Sequence, residues 1–332
     1  MADMTSKQRL TGSAPNNVSN SPLQCACSSR PVRPCAKGKD AGSCPLCTCP
    51  LCVSCPLCAV AMLALALASP APAYADSQSD VSDDPCTGLL AVLDRPTAAD
   101  SVCVVKPGRT VVEMGYSRQT LHDPDAGTGQ LRVLPQAELR FGLPHGFEFK
   151  LFPPNYNRET TSPPGARGTQ TVTGYGDTGI GLKYQFGDAG RWTFATDTLI
   201  TLPTGNHGFS SGGTGVTLNG IAAYSLTPNA GLSGMLGVSS LTGQTADGRT
   251  RRYTTLNPDL VAAYQFNDAF QVYAEVYGTT HSAPGAGGTY VADGGLQYLI
   301  TPRLEIDIEY GTRLSGQPGF SHYVGAGFGV EF

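Results

Sequence analysis

The sequence predicts an all-β protein: a single transmembrane, antiparallel, up-and-down β-barrel of about twelve strands with a short N-terminal periplasmic segment. Three observations predict it: a last strand that ends on an aromatic residue, similar alternating runs upstream, and connections that alternate between short and long. Such a barrel turns apolar residues to lipid and polar or small residues to its lumen. A soluble β-sandwich is the alternative, but it needs no aromatic residue at the same end of every hairpin.

The last strand has an apolar face and a face of glycines and Glu331. Its apolar face consists of Val324, Ala326, Phe328, Val330 and Phe332. A strand of this kind resembles the closing strand of a bacterial outer-membrane barrel, whose terminal aromatic residue is read by the barrel assembly machinery. We therefore expect Phe332 to be an assembly signal, with outer-membrane lipids and that machinery as partners and the outer membrane of a Gram-negative cell as the location.

Four alternating runs upstream each place a tyrosine just before a tight turn. The tyrosines are Tyr184, Tyr224, Tyr264 and Tyr298. The first three are 40 residues apart and the last interval is 34, which accommodates two strands, a short turn and a long loop. We expect these residues to form an aromatic girdle at one membrane interface, where amphipathic rings sit well.

Twelve alternating runs follow from Arg109 to the end of the chain. They lie near 109–118, 131–141, 146–154, 175–186, 191–201, 215–226, 230–239, 253–266, 269–278, 289–300, 303–312 and 321–332. The longer connections are 119–130, 155–174, 202–214, 240–252, 279–288 and 313–320. Short periplasmic turns, long outer loops and an even strand count are the expected asymmetry.

Composition narrows the class of protein. Charged residues make up 14% and hydrophobic residues 40% of the chain, and no run of eighteen apolar residues lies beyond residue 75, which excludes helical membrane spans there. Without residues 1–75, which hold six basic and two acidic residues, 16 basic and 24 acidic residues remain, a formal charge of −8. This charge disfavours nucleic acid as a partner.

Residues 1–75 have the pattern of a leader. Four basic residues precede an apolar stretch at 51–68, and Ala73-Tyr74-Ala75 offers a cleavage site after Ala75. The extension before Arg30 is long for a signal peptide, so either translation starts later or the leader is unusual. Nine of the eleven cysteines lie in this region. Some have zinc-like spacing, but we interpret them as part of the leader and predict no metal or other cofactor.

Residues 76–108 are predicted to form the periplasmic N-terminal segment, and residues 109–332 the barrel. The segment holds the remaining two cysteines, Cys86 and Cys103. A pair with this spacing should form a disulfide in an oxidising periplasm. The bridge would join a short helical stretch after Thr87 to the start of the first strand.

Alternation also predicts which charged side chains face the lumen, because a charged residue near the bilayer midplane on the lipid face costs roughly 2–4 kcal/mol. The predicted lumen-lining residues are Glu113, Glu138, Arg140, Glu148, Lys150, Asp177, Lys183, Asp197, Asp259, Glu275, Asp293, Arg303, Glu305, Asp307 and Glu309. Two interpretations remain open: a water-filled passage with a cation bias, or an interior salt-bridge network that fills a narrow barrel. Asp177 and Lys183 could form such an intrabarrel pair.

The chain resembles a family of outer-membrane transporters named for the meta pathway of phenol degradation. The resemblance rests on Asp94-Arg95-Pro96-Thr97, Asp100-Ser101-Val102-Cys103, Pro107-Gly108-Arg109, Glu113-Met114-Gly115-Tyr116, Leu202-Pro203-Thr204-Gly205 and, most clearly, the run from Gly174 to Tyr184. It covers about residues 83–332. It implies outer-membrane transport of small molecules, including hydrophobic or aromatic ones.

Three functions compete at this point. We favour a channel or transporter with passive or gated passage of small molecules. The alternatives are a non-conducting structural or loop-mediated binding barrel and a lipid hydrolase in the barrel wall. The hydrolase would need a serine and a histidine within hydrogen-bond reach, and the adjacent His281 and Ser282 should point to opposite faces of a strand. We therefore predict no enzyme and no catalytic residues; the sequence specifies neither the solute nor the oligomeric state.

Overall fold

A computed structural model describes residues 85–123, 127–165, 168–206, 208–245, 248–316 and 319–332. The predicted leader with its cleavage site and nine cysteines lies outside these ranges, as do residues 76–84 of the predicted periplasmic segment. Within them, no helix has the length and apolar character that crossing a membrane requires.

The described chain contains one short helix and fourteen β-strands. The helix is α1 (Leu89–Val92). The strands are β1 (Thr110–Asp123), β2 (Gly127–Gly142), β3 (Phe147–Phe152), β4 (Tyr156–Ser162), β5 (Gln170–Tyr175), β6 (Thr178–Ala189), β7 (Trp192–Leu202), β8 (Gly215–Thr227), β9 (Ala230–Gln244), β10 (Thr250–Asn267), β11 (Phe270–Thr279), β12 (Thr289–Thr301), β13 (Leu304–Gly316) and β14 (Gly319–Glu331).

These strands form a closed, twelve-stranded antiparallel barrel, as predicted. Strands β3 and β4 both pair with β2, and β5 and β6 continue one another, so each of these two pairs makes one strand of the wall. The third wall strand is interrupted at Pro153-Pro154-Asn155 and the fourth at Gly176-Asp177. Strand β1 pairs with both β2 and β14, which closes the ring.

Several outer connections are shorter than the sequence indicates, because the strands continue past the ends of the apolar alternation. Strand β1 reaches Asp123 and β2 begins at Gly127, and β13 and β14 are separated by residues 317–318 alone. Where a hairpin extends beyond the lipid, its outward residues need no longer be apolar, although backbone pairing continues. Much of the predicted loop 155–174 is likewise the hairpin of β4 and β5.

The outer face of the barrel carries large apolar side chains, among them Leu182, Leu260, Ile308 and Tyr310, each about half exposed. The four predicted girdle tyrosines lie on this face near the short turns. The rings of Tyr184 and Phe147 stack with centroids 4.5 Å apart, and those of Tyr224 and Trp192 lie 4.8 Å apart. Their role at a membrane interface stays a prediction.

Residues 85–108, called the inner segment below, precede β1 and lie within the barrel. The segment contains α1 and the predicted disulfide between Cys86 and Cys103, whose Cα atoms are 5.4 Å apart. Leu89, Leu93 and Val105 of the segment are buried. Because the described bridge joins the inner segment to itself, the contacts that hold the segment against the wall are noncovalent.

Candidate functional site in the barrel lumen

The inner segment places Asp94 among three cations of the barrel wall. Lys150 Nζ lies 2.8 Å from Asp94 Oδ2, while Lys183 Nζ and Arg140 Nη1 each lie 3.2 Å from Asp94 Oδ1. The two lysines and the arginine have no exposed surface. A buried charge persists only when it is paired and hydrogen-bonded, so Asp94 and these cations depend on one another.

Electrostatics keep the carboxylates of the inner segment ionised. Burial alone would raise the pKa of Asp94, but Arg140, Lys150 and Lys183 outweigh it and hold that pKa below its ordinary value. Burial and Lys150 oppose each other in the same way at Asp100, whose pKa also lies below its ordinary value. Lys150 Nζ is 2.9 Å from Asp100 Oδ2.

Three glutamates of the wall accept hydrogen bonds from backbone N–H groups of the inner segment. Glu113 accepts from the N–H groups of residues 94 and 95 at 3.2 and 2.7 Å. Glu275 accepts from those of residues 98 and 99 at 2.9–3.0 Å. Glu148 accepts from the N–H of Val105 at 2.6 Å. These hydrogen bonds satisfy backbone donors that would otherwise be buried without a partner, so the segment is held at several points around the ring.

Arg95 binds the neighbouring strands β1, β14 and β13 of the wall. Its Nε and Nη2 atoms donate to the two carboxylate oxygens of Asp307 at 3.2 and 2.9 Å. Glycines make room for the guanidinium: a Cβ on Gly115 would lie 2.3 Å from Arg95 Nη1, and one on Gly327 would lie 2.5 Å from Arg95 Nε. Gly115 on the inner face of β1 and Gly327 on that of β14 therefore form a recess for this side chain.

Strands β7 to β11 also make apolar contacts with the inner segment. Buried residues of the segment, including Leu89, Leu93 and Val102, share one cluster with inward side chains of β7 to β11. Those wall residues are Ala195, Ile221, Met235, Val261 and Tyr273. The inner segment thus contacts both charged and apolar side chains of the barrel wall.

Thirteen of the fifteen predicted lumen-lining residues are buried on the inner face of the wall. They are Glu113, Glu138, Arg140, Glu148, Lys150, Lys183, Asp197, Asp259, Glu275, Asp293, Glu305, Asp307 and Glu309. The prediction for Arg303 is wrong, because Arg303 is exposed in the turn before β13, where strand alternation no longer applies. The predicted pair of Asp177 and Lys183 is also wrong: Lys183 pairs with Asp94.

Asp177 instead holds an outer loop, residues 203–214. It lies in the break between β5 and β6, where the alternation changes phase, and it accepts hydrogen bonds from the N–H of Gly205 at 2.9 Å and the N–H of Ser211 at 2.7 Å. Asn206 adds a second attachment, since its Oδ1 accepts from the N–H of Tyr175 at 2.6 Å. This anchoring brings Phe209 against apolar residues inside the barrel.

Beyond the inner segment, toward the long loops, the lumen contains a set of uncharged residues that we call the outer-lumen cluster. Its apolar members are Leu121, Leu131, Val133, Tyr277, Val291, Phe320 and Tyr323, with Ala98 of the inner segment and Phe209 packed against them. Its polar members are Ser117, Gln119, Gln136 and Asn157, all buried. The sequence reasoning missed these four because only charged residues were assigned to the lumen.

The described histidines and serines give no arrangement of a hydrolase. Ser282 Oγ donates to the carbonyl oxygen of Gly287 at 3.0 Å, and His281 Nδ1 lies 3.2 Å from Thr280 Oγ1. A pair that the sequence reasoning missed joins Ser321 Oγ and His322 Nδ1 at 3.0 Å, at a β-bulge of β14. Within the described contacts, neither imidazole is hydrogen-bonded to a carboxylate that could orient it as a base.

Among the described residues, no group of three or more histidine, cysteine, aspartate or glutamate side chains has the arrangement of a metal site.

Of the residues that hold the inner segment, sequence reasoning also missed the roles of Asp94, Arg95 and Asp100. All three stand in the motifs that carry the family resemblance, which was the available signal.

Comparison with solved structures gives the same fold. The chain is similar to the COG4313 outer membrane channel from Pseudomonas putida F1, with a TM-score of 0.54 and 13% identity over 71% of this chain and all of that one. It also resembles the NanC porin, with a TM-score of 0.44 and 15% identity over 67% of this chain and 98% of that one. No curated protein matches the sequence.

The sequence also matches the model of one protein family over residues 93–332, which include the barrel and most of the inner segment. That range begins just before Asp94 and Arg95, so the residues that fix the inner segment to the wall belong to the matched region. The chain therefore belongs to the family described as "Putative MetA-pathway of phenol degradation".

Proposed function

We propose that the protein is a channel of the Gram-negative outer membrane that passes small molecules through the barrel lumen, and that the inner segment gates it. The observation that carries this proposal is that charged side chains of the wall hold residues 85–108 inside a closed barrel by noncovalent contacts. A filler with only a structural role could be apolar throughout, since replacing a buried ion pair by packed hydrocarbon is often neutral or stabilising.

The character of the passage follows from the wall once the inner segment moves. Ten of the thirteen buried charged residues of the inner face are acidic and three are basic. With Asp94 and Asp100 withdrawn, the three cations lose partners, but the excess of acids remains. The open channel should therefore favour cations over anions.

The test is single-channel recording of the full mature chain in planar bilayers, beside two variants. Removal of residues 76–106 should convert rare openings into steady, cation-selective steps. Arg95→Ala removes a bidentate, charge-assisted contact of about 1.5–3 kcal/mol, so the ratio of open to closed time should rise roughly 10- to 100-fold. Arg191→Ala, an exposed arginine near a short turn that bonds the carbonyl of Leu226, is the matched control and should leave gating unchanged.

If neither variant conducts, the proposal that the protein is a channel is wrong. The barrel must first be shown to be folded, by its resistance to unfolding in cold detergent. Closed records would then favour the non-conducting structural or loop-binding barrel. Steady conductance of the unmodified chain, unaffected by Arg95→Ala, would leave a channel but remove the gate.

A further inference from the structure

The outer-lumen cluster contains buried polar groups that have no partner within the described protein. Gln119 has no exposed surface, yet neither its amide nitrogen nor its amide oxygen is hydrogen-bonded. The same holds for Ser117 Oγ, Gln136 Oε1 and Asn157 Oδ1. A buried polar group left without a partner costs about 1–3 kcal/mol, and most such groups in proteins are satisfied, so four of them together require an explanation.

These groups converge on one patch of wall. Ser117 on β1 and Asn157 on β4 flank Val133 on β2, since both are register partners of that valine. Gln119 lies one inward position farther along β1, opposite Leu131. All of them are on the inner side, because the alternating burial of β1 and β4 turns these residues away from lipid.

Aromatic and apolar side chains border the same patch. Tyr323 on β14 is the register partner of Gln119, and Phe320 is that of Leu121. The rings of Phe320 and Tyr323 meet edge to face at 6.3 Å. Gly311 admits the tyrosine ring, because a Cβ there would lie 2.1 Å from Tyr323 Cε1.

The patch is bounded along the barrel axis by the two elements already described. Ala98 of the inner segment packs against the cluster from the short-turn end, and Phe209 of the loop 203–214 packs against it from the other end. Glu275 fixes Ala98, and Asp177 fixes the loop. Charged groups border the cluster as well, and each has a partner: Arg95 binds Asp307, and Asp293 accepts a hydrogen bond from the hydroxyl of Tyr323. Glu159, the register partner of Leu131, and Arg313, the register partner of Val291, also have partners, as does Glu309.

We propose that the outer-lumen cluster is a binding site for an uncharged small molecule with an aromatic body and a hydrogen-bonding group such as a carboxamide or hydroxyl. The amide of Gln119 can both donate and accept, and the Ser117 hydroxyl can do the same. The aromatic members offer ring contacts to the body of the ligand. Among the described residues, each charged group that borders the cluster already has a partner, and burying an ion unpaired is far more costly than burying a neutral amide.

This inference deepens the proposed function, since the site lies on the path of the proposed passage. Its test is therefore independent of conductance. The full mature chain is placed in lipid nanodiscs and titrated calorimetrically with benzamide, toluene, benzoate and benzylammonium, and empty nanodiscs correct for partition into lipid. We expect saturable binding of benzamide. The other three probes should bind at least about tenfold more weakly, because a site that hydrogen-bonds its ligand discriminates against analogues that leave its polar groups unpaired.

Gln119→Leu is the diagnostic variant and should weaken benzamide binding by about tenfold or more while improving toluene relative to benzamide. Gln130→Leu is the matched control: it changes the same residue type on the adjacent strand, where Gln130 is only half-buried, and should leave binding unchanged. The melting temperature of each variant in nanodiscs establishes that it is folded. If Arg95→Ala still binds benzamide, binding at the cluster does not depend on the contact that holds the gate.

Absence of saturable benzamide binding in the folded chain would overturn the site and assign the four polar groups to internal water. Tighter binding of benzylammonium or benzoate than of benzamide would overturn the uncharged class of ligand. Equal loss of benzamide binding in the Gln119 and Gln130 variants would show that the outer-lumen cluster is not the binding site. A non-conducting protein that still binds benzamide would overturn the channel and keep the site.

Discussion

The two ends of the lumen differ in how their polar groups are satisfied. At the short-turn end, charged side chains of the wall pair with the inner segment: Lys150 and Lys183 with Asp94, and Asp307 with Arg95. At the long-loop end, the polar members of the outer-lumen cluster are uncharged, and Gln119 and Ser117 have no protein partner within the described residues.

The contrast separates two uses of buried polarity. Paired charges fix one piece of protein against another, because each loses heavily if its partner leaves. Unpaired neutral groups hold no protein in place, so removing one should not loosen the fold. Substitutions among the paired charges should therefore change stability and gating, and substitutions among the unpaired neutral groups should not.

Arg140→Met should give the largest loss of stability. Arg140 has no exposed surface, and its guanidinium bonds Glu148 at 2.8 Å and Glu113 at 3.0 Å. Removing the cation leaves both carboxylates buried and uncompensated, which typically costs about 3–5 kcal/mol. Guanidinium-induced unfolding in liposomes measures the change. Arg251→Met, at an exposed arginine of β10, is the control and should stay within about 0.5 kcal/mol; equal effects would contradict the proposed difference between the two ends.

Gly327→Ala should displace Arg95 without touching a charge. The added Cβ would lie 2.5 Å from Arg95 Nε, and overpacking of this kind costs about 1–3 kcal/mol. We expect more frequent openings in bilayer recordings, in the direction of Arg95→Ala. Gly220→Ala, where no atom lies within 4 Å of the added Cβ, is the matched control. Unchanged gating in Gly327→Ala would show that the recess does not position the arginine.

Acid should release the inner segment but not affect the outer-lumen cluster. The pKa of Asp94 is held below its ordinary value in the folded state, so its contribution is complete above the unfolded pKa and is lost as pH falls through the folded pKa. Openings should therefore increase below about pH 5, while benzamide binding stays constant. Asp94→Asn should open at pH 7 and respond less to acid, whereas Asp268→Asn, in a turn, should behave like the unmodified chain. Acid-insensitive gating would contradict the role of Asp94.

Gln119→Leu should change stability least. The substitution removes the two unsatisfied polar atoms of one amide group from a buried position, so the free energy of unfolding should stay the same or rise by up to about 1 kcal/mol. Thermal unfolding in nanodiscs measures it beside Gln130→Leu. A clear loss of stability would show that Gln119 has a structural partner and would remove the contrast between the two ends.

The sequence predicted the barrel and its inward charges because both depend on alternation and on the cost of a charge in lipid. Glu113, Lys150 and Asp307 followed from that rule alone. Asp177 and Arg303 did not, because alternation changes phase at a strand break and ends at a turn. The pairing of Asp94 with Lys150 could not be predicted from the local sequence pattern, because it depends on where the inner segment lies in the barrel. The outer-lumen cluster was missed because neutral side chains incur a smaller cost on either face of a strand.

The recess for Arg95 has a consequence for the order of biogenesis. It is built from Gly115 on the first strand, Gly327 on the last and Asp307 beside it, positions that approach one another only when β1 meets β14. Before β1 pairs with β14, the unfinished sheet lacks the complete recess for the Arg95 guanidinium. The inner segment must therefore dock as a late step of biogenesis, after the wall has closed into a ring.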